Sequence, residues 1–256
     1  MMIPARVIPC LSLVGDSLVK TVKFDNYSYI GDPINTVRIF NELEVDELCF
    51  LDIRASVNNT PPNLDLLKQI ADECFMPLSY GGGIKDFETA QAIFSAGFEK
   101  VVINTAAYRN PRLIPQLAAT FGSQAIIGSI DVKKNIWGKY VVYINDGTEK
   151  IAKDAVEWAK EMQLMGAGEL MITSIDKDGT WTGYDLDITS KLANALDIPV
   201  IANGGAGNVA HIGEAVNKGQ ASAVSVGSMV VYQTKGMGVL VNFPDRKTLE
   251  RELARK

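Results

Sequence analysis

PLSYGGGI at residues 77–84 and PVIANGGAG at residues 199–207 are the stretches that decide the fold of this chain. In each, a short apolar strand runs directly into paired glycines, and a helical segment and a second apolar strand follow. The second strands are VVINTAA at residues 101–107 and AVSVGSM at residues 223–229. A unit of strand, glycine turn, helix and strand that recurs after about half the chain indicates two similar half-domains with equivalent sites.

The same alternation continues through the rest of the chain. Short runs rich in Val and Ile alternate with longer amphipathic segments, as in βα units around a parallel sheet. Near-continuous apolar strands are typical of a parallel sheet that is buried on both faces. We predict an α/β fold of the (β/α)8 TIM-barrel class, built from two duplicated half-barrels as a single domain over residues 1–256. The eight predicted strands are residues 7–13, 48–53, 76–80, 101–104, 125–131, 170–174, 200–203 and 223–227.

Composition limits the classes of function. The 256 residues match the usual size of one α/β barrel, and 47% of them are hydrophobic, which is enough for a full core. The net charge of -5 argues against nucleic acid or a membrane as partner. Cys10, Cys49 and Cys74 are odd in number and widely spaced, as is typical of thiols in a reducing compartment. With His211 as the only histidine and no leader or long apolar stretch, we expect a cytoplasmic protein without a metal or cofactor.

Glycines at the ends of the predicted strands suggest where a ligand binds. Glycine lets the backbone approach a ligand closely, and the N-terminus of the next helix presents unpaired N–H groups to an anion. We expect a phosphorylated small molecule with one phosphate in each half-barrel, although tight βα turns also need glycine. The first predicted phosphate site comprises Gly81, Gly82, Gly83, Asn104 and Thr105, and the second comprises Asp178, Gly179, Gly204, Gly205, Gly227 and Ser228.

Asp131 is the candidate acid or base between these two sites. It ends the fifth predicted strand, and a carboxylate at the carboxyl end of a barrel strand is usually functional. A helix N-cap or a loop ion pair is the structural alternative. Asp52 and Asp176 also lie at strand ends, where either can orient loops around the site. The duplication places Ser12 at the position equivalent to Asp131.

The chain resembles the cyclase subunit of imidazole glycerol phosphate synthase, an enzyme of histidine biosynthesis. The resemblance runs from about residue 6 to residue 230, and besides the two glycine stretches it includes RVIPCL at residues 6–11, SIDVK at 129–133 and TSIDKDGT at 173–180. It implies a duplicated barrel that binds a substrate with a phosphate at each end. It also implies a glutaminase partner, docked on the N-terminal face of the barrel, that supplies ammonia.

The resemblance implies roles for six positions. Asp131 is then a catalytic carboxylate, and Lys20 is a cation on the first loop at the substrate side. Four residues that each directly precede a predicted strand form a charged gate at the barrel floor, where ammonia enters. Two positive and two negative charges make this ring neutral, and a purely structural plug is the alternative. The gate residues are Arg6, Glu47, Lys100 and Glu169.

One departure from the family concerns catalysis directly. The family has CLDV at the end of the first strand, whereas this chain has CLSL at residues 10–13, so Ser12 stands where the family has a catalytic aspartate. A serine hydroxyl does not replace a carboxylate as proton acceptor without an adjacent base. We therefore expect poor cyclisation of the family substrate. Further departures are Asn203, the loop at residues 145–150, and the tail after Tyr232 in place of the family's final helix.

These departures favour a paralogous branch of the family, which works with a second glutaminase and an amidotransferase to add acetamidino groups to bacterial surface sugars. Our leading hypothesis is an ammonia-receiving barrel subunit of such a glutamine amidotransferase complex. The alternatives are the cyclase of histidine biosynthesis, the related isomerase of that pathway, and a scaffold that only activates its glutaminase. The isomerase fits less well because it also uses an aspartate at the Ser12 position and needs no ammonia gate.

Overall fold

The computed structural model describes residues 5–43 and 45–254. Residues 1–4, part of the N-terminal stretch in which no leader was expected, lie outside the described residues, as do Glu44 and residues 255–256. The strands are β1 (Arg6–Val14), β2 (Ser17–Val22), β3 (Asp25–Gly31), β4 (Leu48–Asp52), β5 (Leu78–Gly81), β6 (Lys100–Ile103), β7 (Ile126–Lys134), β8 (Tyr140–Ile144), β9 (Glu149–Ile151), β10 (Glu169–Ser174), β11 (Val200–Asn203) and β12 (Ala223–Val226). The helices are α1 (Pro33–Glu42), α2 (Ala55–Asn58), α3 (Leu64–Glu73), α4 (Phe87–Ser95), α5 (Thr105–Arg109), α6 (Leu113–Phe121), α7 (Ala155–Met165), α8 (Leu186–Ala195), α9 (Val209–Asn217), α10 (Ser228–Val231) and α11 (Arg246–Leu253).

Within the described residues, eight parallel strands close into a barrel. β1 pairs with β4 and β12, and β10 pairs with β7 and β11. The pairs β4–β5, β5–β6, β6–β7 and β11–β12 complete the ring. The predicted (β/α)8 barrel is thereby confirmed. All eight predicted strands coincide with barrel strands, and their ends differ by three residues or fewer.

Two barrel strands continue beyond the carboxyl end of the barrel into antiparallel extensions. β1 pairs with β2, which pairs with β3, and β7 pairs with β8, which pairs with β9. The extensions follow the first strand of each half, so they belong to the duplication. The sequence patterns did not predict them because β3 is mostly exposed and lacks a continuous apolar run. Lys20 consequently lies on β2, not on a loop.

The apolar core has two parts because neighbouring residues of a strand face opposite sides of the sheet. The larger part lies between the barrel wall and the helices and includes the fully buried Phe40, Leu67 and Ile93. The smaller part fills the barrel interior. Its members are Ile8, Cys10, Cys49, Val102, Ile127, Met171, Ile201 and Ala223.

The tail differs from the expectation that it lacks a final helix. The backbone N–H of Asn242 donates to the Val230 carbonyl at 2.9 Å, which holds the segment against α10. Helix α11 then packs on α9. Asp245 caps α11 by accepting a hydrogen bond from the Thr248 N–H at 3.0 Å. An Asp cap of this kind is a standard helix start, and it was not recognised in the sequence.

None of the helices among the described residues has the length and apolarity needed to cross a membrane.

Gly168 tests how closely the loops pack at the floor of the barrel. An added Cβ at Gly168 would lie 2.2 Å from the carbonyl oxygen of Ser123, whereas nothing lies within 4 Å of one at Gly238. We predict that Gly168→Ala lowers the free energy of unfolding by about 2 kcal/mol or more, because the backbone at Ser123 or Gly168 has to shift. Gly238→Ala, the control, should change it by less than about 0.5 kcal/mol. Urea unfolding measures both, and equal stabilities would contradict this packing.

Candidate functional site

A polar cavity opens at the carboxyl end of the barrel strands. Its volume is about 1190 Å³, including the space open to solvent. Inward-facing residues at the strand ends form its floor, and the loops that follow form its rim. Every residue assigned from the sequence to catalysis or phosphate binding lines this cavity: Ser12, Lys20, Gly81, Gly82, Gly83, Asn104, Thr105, Asp131, Asp178, Gly179, Gly204, Gly205, Gly227 and Ser228.

The first glycine cluster lies beside the start of α5. Asn104 precedes this helix, but its side chain does not cap it, and its Nδ2 instead donates to Asp131 Oδ2 at 3.0 Å. The Thr105 hydroxyl oxygen accepts a hydrogen bond from the Asn145 backbone N–H at 2.9 Å. The first N–H groups of a helix have no partner within the helix. Those of α5 therefore have no cap from Asn104.

The second glycine cluster has the same arrangement at the start of α10. Gly227 precedes this helix and has no side chain with which to cap it. Ser228 is the first helical residue and is buried. The two short helices, α5 and α10, thus each begin directly after a barrel strand, as the duplication predicts.

The fold itself requires glycine at two of these positions. Gly82 has a φ of +117°, and an added Cβ would lie 2.4 Å from the carbonyl oxygen of Asp52. Gly205 has a φ of +111°, and an added Cβ would lie 2.3 Å from the carbonyl oxygen of Gly183. Close chain packing explains these glycines without any ligand. The phosphate assignment therefore depends on the polar groups around them.

Asp131 is deeply buried, with 9% of its surface exposed. The pKa of Asp131 is raised to about 7, chiefly because of burial and also because of the charges of Asp146 and Asp178, against hydrogen bonds from Thr173 and Asn104 that act to lower it. Its carboxylate accepts a hydrogen bond from the Asn104 amide, and among the described residues Asp131 neither caps a helix nor forms an ion pair. A carboxyl group that titrates near neutral pH can both accept and donate a proton.

Ser12 lies at the equivalent position of the first half-barrel. It is half-buried on β1, where this strand pairs with both β4 and β2. Asp131 lies on β7, where that strand pairs with both β10 and β8. Each residue thus marks the point at which a barrel strand passes into its antiparallel extension. The position exists in both halves, and a carboxylate occupies it in one.

Lys20 reaches from β2 to the second glycine cluster. Its Nζ donates to the Cys10 carbonyl at 2.6 Å, and a Cβ at Gly227 would lie 2.9 Å from that Nζ. Burial lowers the pKa of Lys20, and the charges of Cys10 and Asp178 oppose this effect. Burial likewise raises the pKa of Asp178, and Lys20 opposes it. A half-buried cation therefore lies beside the second predicted phosphate site.

Asp52 and Asp176 both hold loops. Asp52 Oδ1 accepts hydrogen bonds from the N–H groups of Arg54 at 3.1 Å and Ala55 at 3.0 Å, at the start of α2. Burial raises the pKa of Asp52, which also lines the cavity. Asp176 Oδ2 accepts from the Lys134 N–H at 2.8 Å. Among residues 5–43 and 45–254, no group of three or more His, Cys, Asp or Glu is placed to hold a metal ion.

Four charged residues form a ring at the opposite end of the barrel, as their positions before strands predicted. Arg6 Nη1 contacts Glu47 Oε2 at 2.6 Å, and its Nη2 contacts Glu169. Lys100 Nζ lies 3.3 Å from Glu47 Oε1 and 2.7 Å from Glu169 Oε1. Burial acts to lower the pKa of Arg6, but the hydrogen bonds and charges of Glu169 and Glu47 outweigh it and raise this pKa. Each cation thus contacts both carboxylates.

The sequence patterns missed a charged pair at the cavity, Arg54 and Asp146. Asp146 lies in the turn between β8 and β9 and lines the cavity, and its side chain is only 8% exposed. Arg54 Nη1 contacts Asp146 Oδ2 at 3.2 Å across 92 residues of chain. Local patterns do not pair residues so far apart. The available signal was the turn sequence NDG at residues 145–147, in the loop that departs from the family.

The fold and this site define a class of protein: a (β/α)8 barrel with a polar cavity at its carboxyl end and an ion-paired floor. The chain belongs to the histidine biosynthesis protein family, which matches residues 6–235.

Three relatives show how far this similarity extends. The provisionally named imidazole glycerol phosphate synthase subunit hisF2 of Pseudomonas aeruginosa is 47% identical over 249 residues, which cover 97% of this chain and 99% of the relative. A provisionally named HisF subunit of the same synthase from Leptospira borgpetersenii is 43% identical over 95% of this chain and 96% of its own. The imidazole glycerol phosphate synthase subunit HisF of Alkaliphilus metalliredigens is 43% identical over 90% of this chain and 92% of its own. The chain is therefore HisF-like over most of its length.

Asp131→Asn tests the buried carboxyl group. Because the pKa of Asp131 is raised from 3.8 to about 7 in the folded protein, its ionisation lowers stability increasingly as the pH rises between these values. We predict that Asp131→Asn raises the free energy of unfolding by about 2 to 4 kcal/mol at about pH 8 and by much less at about pH 4.5. Urea unfolding across this pH range measures the effect. A pH-independent change would contradict the raised pKa.

Proposed function

We propose that this protein is the barrel subunit of a glutamine amidotransferase complex. In this function a glutaminase partner docks on the N-terminal face, and ammonia passes through the charged ring and the barrel to a ligand at the carboxyl mouth. The observation that carries the proposal is the placement of the ring and the polar cavity at opposite ends of one closed barrel.

The ring and the interior above it have the properties that an ammonia path needs. Apolar side chains line the barrel interior between the charged ring and the cavity at the mouth. They disfavour an ammonium ion far more than neutral ammonia. Arg6 and Lys100 each contact both glutamates, so displacement of one cation opens the ring on two sides. The displaced cation would leave buried carboxylates partly unpaired, which is costly, so the ring stays closed when no partner moves it.

The mouth supports a ligand with two anionic ends. The predicted phosphate sites lie in different halves of one cavity, and Asp131 on β7 lines the same cavity. Lys20 adds a cation beside the second site. We propose a phosphorylated small molecule, with one phosphate at Gly82, Gly83, Asn104 and Thr105 and the other at Gly179, Gly204, Gly205, Gly227 and Ser228.

The serine at position 12 favours the branch of the family that modifies surface sugars. The first half-barrel has no strand-end carboxylate to match Asp131, and one positioned acid or base typically contributes 10²–10⁴-fold to rate. Ammonia that crosses the barrel would then serve an amidotransferase that forms acetamidino groups. The second candidate is the cyclase of histidine biosynthesis, which is favoured by Asp131 and by the similarity to the Alkaliphilus metalliredigens subunit.

Ser228→Ala tests the second phosphate site. The Ser228 side chain is buried, lines the cavity and lies at the start of α10. Because a hydrogen bond to a charged group contributes about 1.5 to 3 kcal/mol, we predict at least about 10-fold weaker binding of inorganic phosphate. Amide NMR shifts during a phosphate titration measure the affinity. Ser95→Ala, an exposed serine on α4, is the control, and equal affinity in the two variants would contradict the site.

Lys100→Ala tests the ammonia path in the complete complex. We predict a loss of glutamine-dependent turnover, because the ring no longer closes, and unchanged turnover with ammonium chloride, which also shows that the variant is folded. Lys218→Ala, which removes an ion pair with Glu214 on the surface of α9, should change neither rate. Equal losses with both nitrogen sources would contradict the path.

An ammonia-dependent assay of the chain alone separates the two candidate functions. The purified chain is supplied with ammonium chloride and the bisphosphate substrate of the family. Formation of imidazole glycerol phosphate at roughly 1 s⁻¹ or faster, within the ordinary range of enzymes, would establish the cyclase and reject the sugar branch.

A further inference from the structure

The Arg54–Asp146 ion pair lies at the rim of the cavity and has no part in the ring or in the predicted phosphate sites. Asp146 belongs to the second half-barrel, in the turn between β8 and β9, and Arg54 follows β4 in the first half-barrel. Their contact at 3.2 Å therefore joins the two halves across the cavity mouth. The carboxylate is the buried partner, with 8% of its side chain exposed against 37% for the arginine.

The turn that carries Asp146 is held in place by several contacts. The Asn145 N–H donates to the Thr105 hydroxyl oxygen at 2.9 Å, and the Thr148 hydroxyl donates to the Asn145 carbonyl at 2.6 Å. Behind it, a Cβ at Gly147 would lie 3.0 Å from the ring of Phe24. Asp146 is thus positioned on a fixed turn that is attached to the first phosphate site.

Asp146 faces the same space as Asp131. β8 pairs with β7 so that Tyr143 lies opposite Asp131, and the chain then turns at Asn145 and Asp146. Both carboxylates line the same cavity. Ser12, at the strand end of the other half, lines it as well and offers only a hydroxyl.

Three charged groups, Asp178, Asp52 and Arg54, act on the pKa of Asp146. The pKa of Asp146 is raised to about 6, chiefly because of burial and also because of the charges of Asp178 and Asp52, while Arg54 acts to lower it. Asp146 in turn is one of the groups that raise the pKa of Asp131 to about 7. The charge of Asp146 therefore acts on Asp131, and burial raises the pKa of both carboxyl groups.

A separate observation indicates that the cavity receives a polar group. The Ser225 hydroxyl, on a residue that is 1% exposed, lines the cavity and has no hydrogen-bond partner among the described residues. The side-chain oxygen of Asn145, next to Asp146, is also buried and unpartnered within the described part of the chain. A buried polar atom normally has a partner, so the Ser225 hydroxyl, which lines the cavity, marks a place for a polar group of a ligand or its water.

We propose that Asp146 is the second acid/base carboxylate of this cavity and takes over the role that a carboxylate at position 12 would have. One member of the Asp131–Asp146 pair, when protonated, gives its proton to a nitrogen lone pair of the bound ligand. The other, when ionised, accepts a proton from an N–H or O–H of the same ligand, so that the pair returns to one shared proton. Arg54 positions Asp146. The proposal rests on the ligand cavity of the proposed function but not on the identity of the reaction.

The first test measures the coupling of the two carboxyl groups in the free protein. Carbon-13 NMR of labelled aspartate follows the titration midpoint of Asp131 in the wild type, in Asp146→Asn and in Asp25→Asn. Asp25 is an exposed aspartate at the corresponding β2–β3 turn and serves as the control. We expect the Asp131 midpoint to fall by about 0.5 pH units or more in Asp146→Asn and to stay unchanged in Asp25→Asn. Arg54→Gln should raise the midpoint of Asp146. An unchanged Asp131 midpoint in Asp146→Asn overturns the proposal, whether or not the ammonia path is correct.

The second test measures turnover in the complete complex. We expect Asp146→Asn to lower kcat by about 100-fold while KM changes by less than about 3-fold, since proton transfer is lost and the phosphate contacts are kept. Ser12→Asp combined with Asp146→Asn should restore part of the rate. A wild-type kcat in Asp146→Asn overturns the proposal. A lower kcat, together with the fall of the Asp131 midpoint expected in the first test, supports it.

Discussion

Closure of the parallel sheet is the constraint on which the rest of the structure depends. Because β1 pairs with both β4 and β12, the sheet has no edge within the barrel, and the carboxyl ends of all eight barrel strands meet around one opening. Side chains alternate between the interior and the helices along each strand. Residues near the carboxyl ends of distant barrel strands, such as Ser12, Asp131 and Thr173, are therefore brought into one cavity.

The interior of this barrel separates charge by position along its axis. Ion-paired side chains occupy the floor, apolar side chains fill the middle, and carboxylates with Lys20 occupy the mouth. At the floor, every charge has two opposite partners. At the mouth, Asp131 receives hydrogen bonds but no ion pair, so burial governs its pKa. The same protein thus keeps one set of charges fixed and leaves another able to titrate.

Glycine serves two purposes in the turns at the mouth, and the structure separates them. At Gly82 and Gly205 the neighbouring carbonyl oxygens leave no room for a side chain, so the fold needs glycine there in any case. The same turns lie beside helix starts that have no side-chain cap from the preceding residue. A turn that the barrel requires for packing is therefore also one that leaves backbone N–H groups for an anion.

The sequence by itself determined the eight barrel strands, the duplication and the glycine turns, and it singled out Asp131 as a candidate, because each is a local pattern of apolar residues, glycines or a strand-end carboxylate. It also placed Arg6, Glu47, Lys100 and Glu169 at the floor, since residues that precede parallel strands share one end of the barrel. The antiparallel extensions were missed because exposed strands such as β3 have no apolar run. The pairing of Arg54 with Asp146 was decided by the tertiary structure alone. Those residues are 92 positions apart in loops after different strands, and only the closed sheet brings such loops to the same opening.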